Sequence, residues 1–342
     1  MAKLNYATEY SQALAQAYPY TLYFGALWSA VKPDIKFLNS NTIQLPSLKV
    51  KGRKNGNRDT IGTFGRNFDN EWETKTLKKH RTWDTLVHPR DIDETNKVAS
   101  IQNITKTMNE EQKFPEMDAE AIDAVYSLKN AIEPVVAKTK GYLNVQNVLT
   151  EFDALMDKMD EKRVPASGRI LYTDTFTKTL IDTAKDVVRT SGNKVLGRTV
   201  SRIDEVEVIS VPTTLMKSAY TFKEDDGFEV AKDTYALTTD TDIVENKNYY
   251  TKSGNNYTKV ASPAKASIAT YYEKIVDGAK DVKMMLVHPS VVIPAISYEF
   301  AQLESPSALS QGKYVYFEES FEDMFIYDKK HDAIQFLVEE TE

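Results

Sequence analysis

The chain of 342 residues carries four histidines, His80, His88, His288 and His331. A zinc site or a general base would draw on residues of this type. No two of them stand at i, i+4, and none lies in an HExxH motif. His88 and His288 each precede a proline at an element boundary, which suits a structural role. Asp153, Asp157, Asp160 and Glu161 crowd one short stretch. Paired carboxylates can run acid–base chemistry, but a solvated helical face accounts for this spacing better. Cysteine is absent, which removes disulfides, thiolate nucleophiles and cysteine-ligated metals. Neither a GxGxxG nor a GxxxxGK[ST] phosphate cradle is present. Thr60-Ile61-Gly62-Thr63-Phe64-Gly65 has two glycines, but it falls in a loop and not between a strand and a helix. There is no GxSxG elbow. No catalytic, cofactor-binding or metal-ligating residue is therefore assigned, no cofactor is expected, and an enzyme is not expected.

The charge pattern is more informative. Lys49, Lys51, Arg53, Lys54 and Arg58, with Lys78, Lys79 and Arg81 near in sequence, form a basic cluster in Gly/Asn-rich surroundings. Three readings stand: a solvated loop, a contact with DNA, or docking on an acidic surface of another copy of the chain. The cluster has few interleaved aromatics and the whole chain carries a formal charge of −7, which weighs against DNA. Glu110, Glu111, Glu116, Asp118 and Glu120, followed by Asp123, offer the acidic counterpart. Docking between these two sets is preferred, because opposite charges steer contact and set register.

The elements that position these groups follow from periodicity. Residues 6–18 suggest a short helix, followed by the aromatic cluster Tyr18, Tyr20, Tyr23, Phe24 and Trp28. These rings must pack on their own domain or on a neighbouring subunit. Residues 41–88 read as a long β-hairpin. Ile43, Leu45, Leu48 and Val50 lie on one arm; Trp72, Thr74, Thr76 and Trp83 mark the return, with the basic cluster at the tip. Asp91, Asp93 and Thr95 are helix-start signals. Val98, Ile101, Ile104 and Met108 recur at helical spacing, Phe114-Pro115 punctuates, and Ile122, Val125, Leu128 and Ile132 resume the pattern. Asn144 can cap a third helix with the stripe Val145, Val148, Leu149, Phe152, Leu155, Met156 and Met159.

Residues 169–230 look α/β. A strand at 169–173 precedes a helix with Phe176, Leu180, Ile181, Ala184 and Val187 on one face, and strand signals follow at 194–200 and 206–211. Residues 231–276 are rich in Thr, Asn, Lys and Tyr and read as a β-rich insertion. Core character returns with a strand at 282–287, a helix start at His288-Pro289-Ser290, and strands at 314–317, 324–327 and 334–338. The composition, 41% hydrophobic and 27% charged, is that of a folded protein. No run of about 18 apolar residues signals a membrane span, and no signal peptide is evident.

Several stretches, taken in order, resemble the major capsid proteins of tailed phages. They are Asp91-Ile92-Asp93-Glu94-Thr95-Asn96 after the hairpin; Lys113-Phe114-Pro115-Glu116-Met117-Asp118-Ala119, similar to a Gram-positive phage branch; Val164-Pro165 with Gly168-Arg169-Ile170-Leu171-Tyr172-Thr173; Met285-Leu286-Val287-His288-Pro289; and Asp323-Met324-Phe325-Ile326-Tyr327-Asp328-Lys329-Lys330. The resemblance implies an α+β fold of the HK-ninety-seven type. Its parts are an N-terminal arm (1–40), an extended β-hairpin loop (41–90), a peripheral domain with a spine helix (91–165), and an axial domain (166–230 and 277–342). Peripheral-domain strands can return near the C-terminus, and residues 231–276 form the insertion.

The same resemblance implies hexamers and pentamers in an icosahedral or prolate shell around double-stranded DNA, in a virion assembled in the host bacterial cytoplasm. A portal protein and a separate scaffolding protein are the implied partners, the latter because the chain begins almost directly with the arm. An encapsulin-like nanocompartment shell is the alternative within the same fold. A hydrolase or nucleic-acid-binding enzyme is the alternative from another class. The insertion would serve shell stabilisation or surface adhesion.

Overall fold

A computed structural model describes residues 20–29, 36–39, 41–53, 66–94, 100–189, 202–203, 206–223, 227–240, 242–244, 247–254, 256–260 and 263–341. The expected helix at 6–18 and the strand at 194–200 lie outside these residues. The fold is mixed α+β with several separate sheets. The chain divides into two compact units, Met1–Leu128 with Pro289–His331, and Lys129–His288 with Asp332–Glu342.

The first unit holds two antiparallel three-stranded sheets. One runs Lys36–Asn39, Thr42–Val50, Phe68–Thr76. The other runs Val292–Glu304, Tyr314–Ile326, Lys79–Val87. Trp83, expected on the returning arm of the hairpin, therefore sits on a separate strand, opposite Glu318. The reason is local: Leu77 turns into the core between the two strands and ends the hairpin there. The core joins Ile43, Leu45 and Leu77 to Ile293, Ala295 and Phe325.

Two further expectations change in this unit. His288-Pro289-Ser290 starts only one 3₁₀ turn, Pro289–Val291, and the chain then extends as the strand Val292–Glu304. Val291, Val292, Ile293 and Ile296 are β-branched, and tertiary pairing decides in favour of the strand. The expected strands at 314–317 and 324–327 are one continuous strand, Tyr314–Ile326.

The helical stretch starts at Pro89–Glu94. It resumes at Ile101–Met108, where the Ser100 hydroxyl caps the helix by accepting from the Asn103 N–H. Phe114-Pro115 does not end it. Asn109–Lys113 widens into a π turn and the α-helix continues as Phe114–Ile132. Proline lacks an N–H and its ring crowds the carbonyl four residues back; the wider winding before Pro115 accommodates it. The aromatic segment packs on this helix. Phe24 and Leu27 are fully buried, and the Trp28 indole N–H donates to the Met117 carbonyl at 3.2 Å.

The second unit is built on a mixed five-stranded sheet in the order Ile334–Glu339, Asp281–Val287, Ile170–Asp174, Val206–Val211, Arg202–Ile203. The Ile170–Asp174 and Val206–Val211 strands are parallel, with the helix Thr175–Arg189 between them in sequence, as a parallel crossover demands. Asp174 caps that helix by accepting from the Thr177 N–H at 2.8 Å. Ile181 and Ala184 pack on the sheet, whereas Phe176, expected on the same face, is exposed. Its position two residues into the first turn points it away from the stripe.

The helix Val148–Glu161 buries Val148, Phe152, Leu155 and Met159 against Leu171, Met284, Leu286 and Leu337. The boundary between the two units falls inside the helix Phe114–Ile132, between Leu128 and Lys129. Asn144 holds the turn before Val148–Glu161 by accepting from the Gln146 and Asn147 N–H groups.

The insertion is a four-stranded antiparallel sheet in the order Thr234–Leu237, Tyr272–Val276, Tyr250–Ser253, Asn256–Lys259. Its two ends meet at Gly278, whose N–H donates to Asp233 at 2.6 Å. A Cβ there would lie 2.7 Å from the Asp233 nitrogen, so only glycine lets the two connecting segments approach.

Candidate interaction surfaces

Among its described residues the hairpin Thr42–Val50/Phe68–Thr76 joins the core at the Ile43–Leu45 end. Ile43 and Leu45 are buried, while Leu48 and Val50 are 62% and 69% exposed. Residues alternate faces along a strand and directly paired residues share one. The pairs Val50↔Phe68, Leu48↔Asn70 and Pro46↔Trp72 thus gather Pro46, Leu48, Val50, Phe68 and Trp72 on the face opposite Ile43 and Leu45. Two cations rest on its rings: Lys36 lies 4.9 Å from the Trp72 centroid and Arg66 4.8 Å from that of Phe68. An exposed apolar strip of this kind is costly unless something covers it.

The basic residues extend from the same hairpin. Lys49 is exposed and pairs with Glu71 at 3.4 Å. Lys51 and Arg53 are exposed, with the Lys51 N–H bonded to the Asn67 carbonyl. Lys54 and Arg58 lie outside the described residues.

The acidic set is split by the helix. Glu111 is exposed, and Glu110 is half-buried 3.8 Å from Lys106. Glu116 is engaged by Arg81 at 2.6 Å. Asp118 and Glu120, expected on the acidic surface, are interior residues, 0% and 1% exposed. The helix is covered on both sides here, by the aromatic segment over Asp118 and by the strand of Lys79 over Glu120, so both residues serve the chain's own packing. Asp118 accepts from the Tyr20 hydroxyl at 2.6 Å and from the Tyr23 and Phe24 N–H groups at 3.0 and 2.9 Å. It ties the aromatic segment to the helix. Glu120 faces Lys79 at 3.5 Å.

Glu116 and Glu120 belong to a charged layer between the helix and the strands Lys79–Val87 and Tyr314–Ile326. Arg81 reaches Glu116, Lys113 reaches Glu318 at 3.2 Å, and Asp323 accepts the Lys78 N–H at 3.1 Å. His80 lies 2.7 Å from Glu319 and stacks on Phe321. Burial pushes the Glu120 carboxyl well above the usual carboxylate range, against the pull of Lys79. Burial likewise raises Glu322 and Asp118, the latter despite its three donors. His288 contacts the Ser167 carbonyl, His331 the Asp328 carbonyl, and His88 accepts from the Arg90 N–H.

Sequence reasoning missed a second projecting hairpin, Val292–Glu304/Tyr314–Ile326. Beyond the core its strands expose Phe300 and Leu303, and Leu309 at the tip is 93% exposed. The signal lay in the alternation after Val292, masked by the proline at 289. Beside it the π turn opens a groove of about 490 Å³ lined by Ile101, Thr105, Asn109, Phe114, Leu303 and Tyr316. The Thr105 hydroxyl and Asn109 carbonyl oxygen there are buried without a hydrogen-bond partner among the described residues.

No protein-family model matches the sequence, and no curated protein matches it. Solved structures do. The mature capsid of bacteriophage PhiM1 matches with a TM-score of 0.53 at 10% identity, over 87% of this chain and 82% of that one. The capsid of cyanophage P-SCSP1u gives 0.50 at 9% identity, over 88% and 84%. The head of Helicobacter pylori bacteriophage KHP40 gives 0.50 at 9% identity, over 100% and 95%. The chain has the fold of phage capsid proteins. At this identity the likeness speaks for the fold; the surfaces described above carry the rest. Among the described residues no helix is long and apolar enough to cross a membrane.

Proposed function

We propose that the chain is a major capsid protein of a tailed phage, a subunit that self-assembles into the closed shell enclosing phage DNA. The observation that carries this reading is the hairpin Thr42–Val50/Phe68–Thr76, joined to its own core at one end and apolar on an exposed face at the other, within a capsid-protein fold. A monomer gains nothing from such a strip, whereas a shell covers it with a neighbouring copy. Obligate interfaces bury roughly 2,000 Å² or more, and closed symmetry leaves no complementary patch free for further growth.

In this reading the hairpin is the extended loop of the HK-ninety-seven type, Ile101–Ile132 is the spine, and the second unit with its five-stranded sheet is the axial domain. Lys51 and Arg53, with Lys49, Lys54 and Arg58, dock against Glu110 and Glu111 of an adjacent subunit. Hexamers and pentamers are the intermediate assemblies, and scaffolding and portal proteins are the partners. The shell is placed in the virion and assembles in the host cytoplasm; the subunit catalyses no reaction.

A charge swap tests the docking. Lys51→Glu with Arg53→Glu is expected to abolish large assemblies in light scattering while leaving the circular dichroism unchanged. Adding Glu110→Lys and Glu111→Lys is expected to restore them in part. Unchanged assembly of the first variant removes the basic hairpin from the interface.

A further inference from the structure

The insertion sheet has two unlike faces. Tyr249, Ile268 and Tyr271 form a small core with Ile243 and Val260 on one side. The other side follows from the register. Tyr250↔Lys259, Lys252↔Tyr257, Tyr250↔Tyr272, Leu237↔Tyr272 and Tyr235↔Lys274 are paired, and paired residues share a face. Four tyrosines and three lysines are thus interleaved on one surface of a small sheet. The rings brace each other. Tyr235 and Tyr257 stack at 4.1 Å, Tyr235 and Tyr250 meet edge-on at 4.9 Å, and Tyr257 and Tyr272 at 5.2 Å. Lys252 lies 5.5 Å from the Tyr257 centroid and 5.9 Å from that of Tyr272.

The charges on this face are unequally spent. Lys274 is neutralised by Asp233 at 2.9 Å and Asp277 at 3.5 Å, and Asp233 also accepts the Tyr235 hydroxyl. Among the described residues Lys252 and Lys259 make no ion pair and are exposed. The phenolic hydroxyls of Tyr250, Tyr257 and Tyr272 make no hydrogen bond to a described residue. Among the described residues the surface therefore offers tyrosine rings, phenolic hydroxyls without a hydrogen bond and two cations without an ion pair.

We infer that this tyrosine–lysine face binds an acidic polysaccharide, a chain of sugar rings carrying carboxylates. Pyranose rings present an apolar C–H face edged by hydroxyls, which matches an aromatic ring with a phenolic edge. Carboxylates complement Lys252 and Lys259. A nucleic acid fits less well. Its affinity grows with each phosphate neutralised, and two lysines supply little of that, whereas a sugar chain gains much of its contact from the ring edges and phenolic hydroxyls. The braced rings are already ordered, which lowers the entropic cost of binding. This inference does not depend on the shell reading.

Binding of the purified full chain to immobilised polygalacturonate, dextran and single-stranded oligothymidylate tests it. Polygalacturonate is expected to bind best, and more weakly as salt is raised. Lys252→Glu with Lys259→Glu is expected to weaken it about tenfold without altering the circular dichroism, since both side chains are solvent-exposed. Tyr257→Phe removes one hydroxyl and leaves the ring stack, so a weaker but measurable complex is expected. Binding to dextran equal to that of polygalacturonate, tighter binding to oligothymidylate, no binding to any of the three, or indifference to the lysine reversals overturns the inference.

Discussion

The Lys79–Glu120 pair is the most demanding residue-scale feature. Both charged groups are withdrawn from water, and the carboxylate is crowded by Glu322 and Asp323. Breaking a buried pair costs more than never having built one. Glu120→Ala is expected to destabilise the unassembled subunit by about 3–5 kcal/mol in urea unfolding, whereas Lys79→Met with Glu120→Leu is expected to recover most of that. Equal losses in both would mean that the pair is not what holds the helix to the strand.

The pH response has opposite signs in two places. Asp118, Glu120 and Glu322 have raised native pKa values, so the native state binds more protons than the unfolded chain. Their stabilising contribution is full below the ordinary values of 3.8 for aspartate and 4.5 for glutamate. It falls as pH rises from there through the raised values. In the insertion, Asp240 and Asp242 are held low by hydrogen bonds from Lys247 and Lys265, and Asp233, against its burial, by Lys274 and Gly278. Those contributions are present above 3.8 and lost as pH falls through the lowered values. Hydrogen exchange, corrected for intrinsic rates, is expected to show the helix Phe114–Ile132 gaining protection on acidification toward that range while the insertion strands lose it. Glu322→Gln is expected to flatten the helix response. Loss of protection in both places together would contradict these assignments.

At the scale of elements, the proposed assembly role makes the hairpin face of Leu48 and Trp72 the place where folding and assembly separate. Both side chains lie outside the subunit core. Leu48→Ser with Trp72→Ser is expected to shift subunit stability by no more than about 0.5 kcal/mol and to prevent shells from forming, as read by sedimentation. A large loss of stability would place these residues in the fold and not in the interface. Much of this level was legible in the sequence. The arms of the hairpin, the stripe at Val148–Met159 and the closing strand followed from periods of 2 and 3.6, and the β character of residues 234–276 from their composition and turn residues. What was not legible had local causes. Pro115 reads as a helix stop, and only the π turn before it shows otherwise. His288-Pro289-Ser290 reads as a helix start, and only pairing with Tyr314–Ile326 makes the following residues a strand. Asp118 and Glu120 read as surface charges because the partners that bury them, Tyr20 and Lys79, lie far away in sequence.

At the scale of the whole molecule, each unit is assembled from segments distant in sequence, with residues 289–331 returning to the first unit and 332–342 to the second. That interleaving hid the unit boundary, since no linker composition marks it. The order of elements nevertheless carried the family resemblance, and the fold likeness to the phage capsids agrees with it over nearly the full length. The central claim is that this subunit builds closed shells. Electron microscopy of the purified protein, expressed alone and with a candidate scaffolding protein, tests it most directly. Closed polyhedral shells, or rings of five and six copies that convert to shells, are expected. A uniform monomer under both conditions, with no polyhedral product, would contradict the account.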